Sequence, residues 1–164
     1  MKIIVYPDPF LKKKTVSVKA FDKKLQKTVR KMFDMMYKEN GVGLAANQIG
    51  VPYNIVVINP TKKKADEIIM VNPKITNAGG IVCEEEEGCL SVPGLAAKVK
   101  RFTKVSCEFH DLEGKKLKAD IEGLLARVAQ HEIDHLNGIL FIDRLPEGER
   151  EVLIKKYLSE PKPK

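Results

Sequence analysis

Residues 123–138 read GLLARVAQHEIDHLNG, and this stretch decides how the rest of the chain is arranged. Apolar and histidine side chains recur in it at spacings of three and four residues, which predicts a helix over residues 123–137. Gly138 is typical of the position at which such a helix stops. One face of this helix therefore combines apolar residues with ionisable ones. The residues on that face are Leu124, Val128, His131, Glu132 and His135.

Two further helices flank this one in the sequence. The first is predicted from Lys23 to Asn40, with Asp22 as its N-cap and Gly41 as the residue that stops it. Its apolar stripe has the spacing of a core helix. The other is predicted from Glu147 to Leu158. Its apolar side comprises Val152, Leu153 and Tyr157.

Short strands are favoured between the first two helices. The β-branched run Asn54–Asn59 predicts a buried strand, and Asp111–Gly114 predicts a hairpin turn. We therefore expect an α+β fold. In it, mixed, mainly antiparallel short sheets pack around a central helix that carries the HExxH motif, with an N-terminal and a C-terminal helix. The remaining predicted strands are 68–71, 81–86, 98–102, 105–109 and 115–121.

Length and composition limit the class of protein. A chain of 164 residues predicts one domain, residues 1–164, of which 147–164 form a C-terminal helix and tail. The net charge of +7 indicates either a solvated lysine-rich surface or a polyanionic partner. No run approaches 18 apolar residues, and the opening residues lack the core of a signal peptide. With 3 cysteines and no export signal, we expect a reduced, cytoplasmic protein with no membrane or DNA partner.

The pentapeptide His131-Glu132-Ile133-Asp134-His135 points to metal chemistry. Histidines four apart on a helix lie one turn above each other, so both imidazoles can hold one ion. Glu132 can then accept a proton from a water at that ion. The alternative is two core histidines that are simply hydrogen-bonded.

A catalytic first-row metal usually has three protein ligands and one open position. Sequence spacing alone does not identify the third ligand. Cys89 follows Gly88 at a predicted strand end, where backbone can approach a ligand closely. His110 and the acidic residues after the pentapeptide are the other candidates. A segment of small residues, 41–48, ends in Gln48, whose amide could face a developing oxyanion.

Three motifs in this order resemble those of the peptide deformylases. They are G-x-G-L-A-A-x-Q at residues 41–48, E-G-C-L-S at 87–91 and Q-H-E-x-D-H at 130–135. The similarity extends from about residue 3 to 158. Asn47 stands where many relatives have Pro, and Ala96 stands where some carry Arg near the far end of the substrate. The chain is identified on these motifs as a member of that family.

The resemblance implies an activity: a metal-dependent hydrolase that removes the formyl group from the N-terminal formyl-methionine of nascent polypeptides and releases formate. Cys89, His131 and His135 would hold one divalent ion. Ferrous iron is the expected ion, and zinc, nickel or cobalt can substitute. Glu132 would be the proton carrier, while Gln48 and the Leu90 backbone N–H would hold the oxyanion.

The resemblance also implies how the peptide is bound. Gly43 and Gly88 would bind its backbone as an added strand. The methionine pocket would be formed by Val42, Leu124 and Val128, with Glu87 nearby. Arg127 is also close in sequence, although its head group could turn to solvent. Arg101 and Asp134 form either a pair that orients the helix or an ordinary surface ion pair.

Two other functions share some of these features. A zincin-type metallopeptidase also carries H-E-x-x-H, but it would cleave unblocked peptide bonds and would not need Cys89. An inactive relative could instead bind the ribosome through its basic surface. For an active enzyme we still expect a weak ribosomal contact near the exit tunnel. It would be guided by Lys155, Lys156, Lys162 and Lys164.

Overall fold

The computed structural model describes residues 2–159, which form three α-helices and one five-stranded sheet. The strands follow the chain in the order β1 to β5, and each neighbouring pair is antiparallel. The α+β class is therefore confirmed. The strands are β1 Gly43–Ala45, β2 Ile55–Ile58, β3 Ile68–Cys89, β4 Val92–His110 and β5 Lys116–Glu122. The helices are α1 Lys23–Lys38, α2 Gly123–Leu136 and α3 Glu147–Ser159.

The strands differ from the sequence prediction in length and in number of sheets. The predicted pieces 68–71 and 81–86 belong to one strand of 22 residues, and 98–102 and 105–109 belong to one of 19. Register shifts, such as those between Val71 and Lys74 and between Gly79 and Val82, carry β3 past residues that interrupt regular pairing. Such bulges bend a strand without ending it. One bent sheet therefore replaces the several short sheets.

Helix α1 begins where predicted. The Asp22 carboxylate accepts hydrogen bonds from the backbone N–H groups of Lys24 and Leu25, both at 2.9 Å. The helix ends at Lys38, and Asn40, with φ of 57°, takes the left-handed position after it. The prediction that Gly41 stops the helix is therefore wrong, because asparagine also tolerates this conformation.

Helix α2 spans Gly123–Leu136, which includes the pentapeptide, and it contacts all five strands. Its residues from Ala126 to Leu136 are buried. Gln130 fastens it to β4, because its amide accepts from the Phe102 N–H at 3.1 Å and donates to the Phe102 carbonyl at 2.8 Å. Gly138 follows with φ of +73°, and a Cβ there would lie 2.2 Å from the Lys12 carbonyl oxygen. The chain must therefore turn at a glycine.

The C-terminal helix α3 packs through fewer residues than predicted. Tyr157 is buried and donates to the Tyr6 carbonyl at 3.3 Å, whereas Val152 is 69% exposed. Val152 therefore does not belong to the buried side, although Leu153 packs on the core. The tail from residue 160 onward, with Lys162 and Lys164, lies outside the described residues. Within residues 2–159, no helix has the length and apolarity needed to cross a membrane.

Candidate metal centre

Three side chains meet at the end of β3 and the middle of α2. One ligand atom each from Cys89, His131 and His135 lies within 4.8 Å of the others. Cys89 Sγ is 3.2 Å from His135 Nε2, and the two histidine Nε2 atoms are 3.3 Å apart. The helical spacing of four residues places the two imidazoles one turn apart and edge to face, with centroids 5.0 Å apart, and the end of β3 brings the thiol to them. Within residues 2–159 this is the one such group of three potential ligands.

The donor set fits a divalent ion. Ligands about 2.1 Å from a tetrahedral metal are about 3.4 Å apart, close to the distances seen here. Both Nε2 atoms face the same point, while His131 Nδ1 is turned away and lies 3.0 Å from Glu87 Oε2. This outward hydrogen bond fixes the imidazole orientation, as is usual for metal-binding histidines. Of the third-ligand candidates left open by the sequence, the structure brings Cys89 to the two histidines and leaves His110 at the end of β4.

Glu132 lies beside this group. It is 4% exposed, and its Oε2 has no hydrogen-bond partner among the described residues. Burial raises the pKa of Glu132 to about 7, because the charged carboxylate loses its hydration. The carboxyl group is thus suited to accept and return a proton near neutral pH.

Gly43 makes room for Glu132. A Cβ at position 43 would lie 2.5 Å from Glu132 Oε1 and 2.7 Å from Val128 Cγ1. Neither contact is possible between real atoms, so any side chain at this position would move the carboxylate. Of the two glycines in the 41–48 segment, Gly43 is therefore required for steric reasons.

Gln48 is held with its amide toward the metal group. Its Oε1 accepts from the Ala45 N–H at 2.9 Å, and its Nε2 donates to Ser91 Oγ at 3.1 Å and faces Cys89 Sγ at 3.6 Å. The side chain is 2% exposed. These contacts place an amide donor next to the thiol, where negative charge developing on a substrate carbonyl oxygen would need one.

Glu87 binds a cluster of basic side chains behind the histidines. Arg101 donates to both of its oxygens, at 3.0 and 3.1 Å, and Arg127 donates to Oε1 at 2.7 Å. Burial pushes the pKa of Glu87 upward, but hydrogen bonds from His131 and Arg101 outweigh it and lower the pKa to about 2. Glu87 therefore remains an anion that orients His131.

Two arginines take positions that the sequence left open. Arg101 also donates to Asp134 Oδ2 at 2.6 Å, and Arg101 is 5% exposed. The Arg101–Asp134 contact is therefore a buried pair and not a surface one. Arg127 is 7% exposed and also donates to the carbonyls of Val99 and Cys83, so its head group does not face solvent.

A cleft of about 680 Å³ opens onto the metal group. Its walls come from the end of α1, β1, the β3–β4 turn and the first half of α2. Every metal-binding, catalytic and substrate-binding residue proposed from the sequence lines it except His135, which lies fully buried beneath it. Leu124 is 58% exposed at the mouth. The lining members of the predicted set are Val42, Gly43, Gln48, Glu87, Gly88, Cys89, Leu90, Leu124, Val128, His131 and Glu132.

Some contacts around the site were not predicted. Asn47 donates to the His135 carbonyl at 2.6 Å, and the Phe141 ring stacks on His131 with centroids 6.2 Å apart. Arg144 donates to Asp134 through two nitrogens. Asn47 lies within the 41–48 motif, but at a position that the motif leaves open, and nothing in the spacing of Phe141 and Arg144 links them to the site. An asparagine, a phenylalanine and an arginine in loop or turn segments have many other possible partners.

A Cys-His-His group with an adjacent buried carboxyl at the base of a peptide-sized cleft defines a metal-dependent hydrolase. The chain belongs to the polypeptide deformylase family, whose model matches residues 1–151. It is an enzyme that removes the formyl group from nascent peptides. Neither the zincin-type peptidase nor the inactive relative finds support in these matches.

Individual relatives match over nearly the full length. The chain is 43% identical over 158 residues to the peptide deformylase of Aquifex aeolicus, covering 94% of this chain and 93% of that protein. It is 41% identical over 162 residues to the enzyme of Thermodesulfovibrio yellowstonii, covering 98% of each. The crystal structure of a peptide deformylase from Legionella pneumophila superimposes with a TM-score of 0.90 at 43% identity, covering 98% of each chain.

Proposed function

We propose that this chain deformylates N-formylmethionyl peptides with a single metal ion held by Cys89, His131 and His135. The observation that carries the proposal is the convergence of these ligand atoms within 4.8 Å, at the base of the cleft and beside Glu132. When bound, the ion would act as a Lewis acid that lowers the pKa of water and polarises the formyl carbonyl. The family match supports the same assignment.

Glu132 carries the proton in this proposal. Its carboxylate takes a proton from the attacking water and returns it to the nitrogen of the breaking C–N bond, so formate and a free N-terminus are produced. Burial raises the pKa of this carboxyl to about 7, toward the range of a group that exchanges protons near neutral pH. The free Oε2 is available for this transfer.

Gln48 and Leu90 stabilise the negative charge that develops on the formyl oxygen. Gln48 Nε2 is already aimed past Cys89 by the hydrogen bond from Ala45 N–H to its carbonyl oxygen. The Leu90 N–H follows Cys89 directly in the β3–β4 turn. Donors fixed in advance are more effective than donors that must reorganise during the reaction.

The peptide occupies the cleft between β1 and the end of β3. We propose that Gly43 and Gly88 hydrogen-bond its backbone as an added strand. Val42, Leu124 and Val128 supply apolar walls for the methionine side chain. Glu87 also lines the cleft, but its carboxylate is occupied by arginine and histidine partners. Its contribution is therefore to shape the wall and orient His131.

Ferrous iron is the ion we propose in the cell. Thiolate and imidazole ligands suit Fe(II), Zn(II), Ni(II) and Co(II), so the family resemblance carries this choice. Purification without oxygen followed by metal analysis tests it, with iron expected at one equivalent per chain. Zinc or nickel at one equivalent, with no iron, would contradict it.

The activity is tested with a matched pair of peptides. Formyl-Met-Ala-Ser should yield formate and a free amine, whereas Met-Ala-Ser should remain intact. Cleavage of the unblocked peptide would instead indicate a peptidase. Loss of formate production after treatment with a chelator, and its return with added metal, would tie the reaction to the ion.

The cellular setting is also a proposal. All three cysteines are free thiols, which supports a reducing cytoplasm. We propose that residues 1–164 act as one catalytic domain that meets its substrate near the ribosomal exit tunnel. Lys155 and Lys156 on α3 are exposed, as such a contact would need. Ribosome binding that persists after deletion of residues 147–164, or in high salt, would contradict this contact.

A further inference from the structure

Arg144 binds Asp134 of α2 and is not itself part of the metal group. It lies in the short 3₁₀ turn Phe141–Arg144 after α2, and its side chain is 45% exposed. Its Nε donates to Asp134 Oδ2 at 3.0 Å, and its Nη2 donates to Oδ1 at 2.5 Å. Asp134 stands between the two metal-binding histidines on α2, and its side chain is 10% exposed. The exposed arginine therefore makes a two-point contact with a buried carboxylate.

Asp134 is connected to His131 by three successive buried contacts. Its Oδ2 accepts from Arg101 Nη1 at 2.6 Å. Arg101 then binds both oxygens of Glu87, and Glu87 Oε2 lies 3.0 Å from His131 Nδ1. Each member is oriented by the one before it. We call Arg144, Asp134, Arg101 and Glu87 the carboxylate–arginine chain.

The contacts of the carboxylate–arginine chain depend on Arg144, because Arg144 and Arg101 share one oxygen of Asp134. Arg144 and Arg101 both donate to this oxygen, while Oδ1 has Arg144 as its side-chain partner among the described residues. Without Arg144, the carboxylate is free to rotate and offer both oxygens to Arg101. Arg101 would then shift on Glu87, since a bidentate guanidinium contact fixes direction as well as distance.

We propose that Arg144 is a positioning residue of the metal centre, acting through Asp134, Arg101 and Glu87 on the orientation of the His131 imidazole. The inference rests on the proposed role of His131 as a metal ligand. Replacing groups that orient metal ligands usually weakens metal affinity by about 10- to 100-fold. Arg144 is further from the ion, so a smaller effect is expected.

The test compares two half-exposed arginines that bind different carboxylates: Arg144 binds Asp134, and Arg150 binds Asp143. Arg150 on α3 is 40% exposed at its side chain and contacts Asp143 of the same 3₁₀ turn at 2.7 Å. Its carboxylate partner is not part of the carboxylate–arginine chain. Zinc-loaded Arg144→Ala and Arg150→Ala proteins are mixed with excess chelator, and the rate of zinc release is followed.

Arg144→Ala should release zinc about 5-fold faster than the unchanged protein, a fraction of the usual effect of an orienting group. Arg150→Ala should stay within about 2-fold, because it leaves Asp134 untouched. The cobalt-loaded Arg144→Ala protein should also show shifted visible absorption bands, which a loss of stability alone would not produce. Equal release rates from both variants, or an unchanged cobalt spectrum in Arg144→Ala, would overturn the proposal.

A double variant tests the route of the effect. Glu87→Gln should itself speed zinc release. Adding Arg144→Ala to it should have little further effect, because the contacts of the carboxylate–arginine chain are already interrupted at Glu87. Fully additive effects would overturn the route through Glu87. Arg144→Lys should restore only part of the retention, since lysine cannot make the two-point contact.

These readouts separate the inference from the proposed function. The unchanged zinc-loaded protein could fail to deformylate formyl-Met-Ala-Ser while the variants still release zinc in the expected order. In that case only the proposed function fails. If the unchanged protein holds no zinc, both fail.

Discussion

The substitution Gly43→Ala tests the placement of Glu132. The added Cβ would lie 2.5 Å from Glu132 Oε1 and 2.9 Å from Glu132 Cγ. Ordinary van der Waals contact needs about 3.4 Å, so the Glu132 carboxylate must move away by close to 1 Å. The new methyl group cannot move aside instead, because Val128 Cγ1 would already lie 2.7 Å from it. A misplacement of about 1 Å at a reacting group costs about 100-fold in rate, or about 2.7 kcal/mol of activation free energy.

The assay measures kcat for formyl-Met-Ala-Ser with zinc- or cobalt-loaded protein, alongside metal content and thermal unfolding. We expect kcat to fall about 100-fold while the metal content stays at one per chain, since the ligands are untouched. Gly79→Ala is the control, because a Cβ there meets nothing within 4 Å. A Gly43→Ala protein with kcat within 3-fold of the unchanged enzyme, on the order of measurement scatter, would show that Gly43 does not position Glu132.

Three further predictions concern the metal, the fold and a surface charge. Cys89→Ser should release zinc at least 10-fold faster, because a thiolate ligand is lost, and unchanged retention in a chelator assay would contradict this role. Gly138→Ala should lower the free energy of unfolding by about 3 kcal/mol in urea titrations, since its φ is +73° and its Cβ would clash with Lys12; a loss under 1 kcal/mol, about the effect of an ordinary surface change, would refute it. Hydrogen bonds from Lys118 and Lys116 lower the pKa of Glu108 to about 2, so the stabilisation is present above about pH 4.5 and disappears as the pH falls toward 2. An NMR titration should show that pKa rising in Lys118→Gln, and an unchanged value would count against the contact.

The sequence predicts those features that depend on local spacing. The helix over residues 123–137, the Asp22 cap and the placement of His131 beside His135 follow from helical periodicity and side-chain chemistry. The identity of the third ligand does not follow from spacing, because Cys89 lies on a strand end that only the sheet brings to α2. There the resemblance of three motifs supplied what local patterns could not.

Other features depend on long-range packing and have no local signal. Strand β3 is predicted as separate pieces because Gly79 and Gly80 interrupt its β pattern, although a bulge keeps it paired with β4 through that point. Asn40 and Gly41 are both able to end α1, and only the backbone geometry distinguishes them. Arg144 meets Asp134 because the chain turns back after Gly138, and nothing in the residues between them specifies that contact.

We propose that Glu132 carries the proton at a site where Cys89, His131 and His135 hold the metal ion. The most direct measurement is the kcat of Glu132→Ala for formyl-Met-Ala-Ser, together with its metal content. We expect one metal per chain and a loss of turnover of at least about 100-fold, because only the proton carrier is removed. A variant that keeps its metal and the turnover of the unchanged enzyme would contradict it.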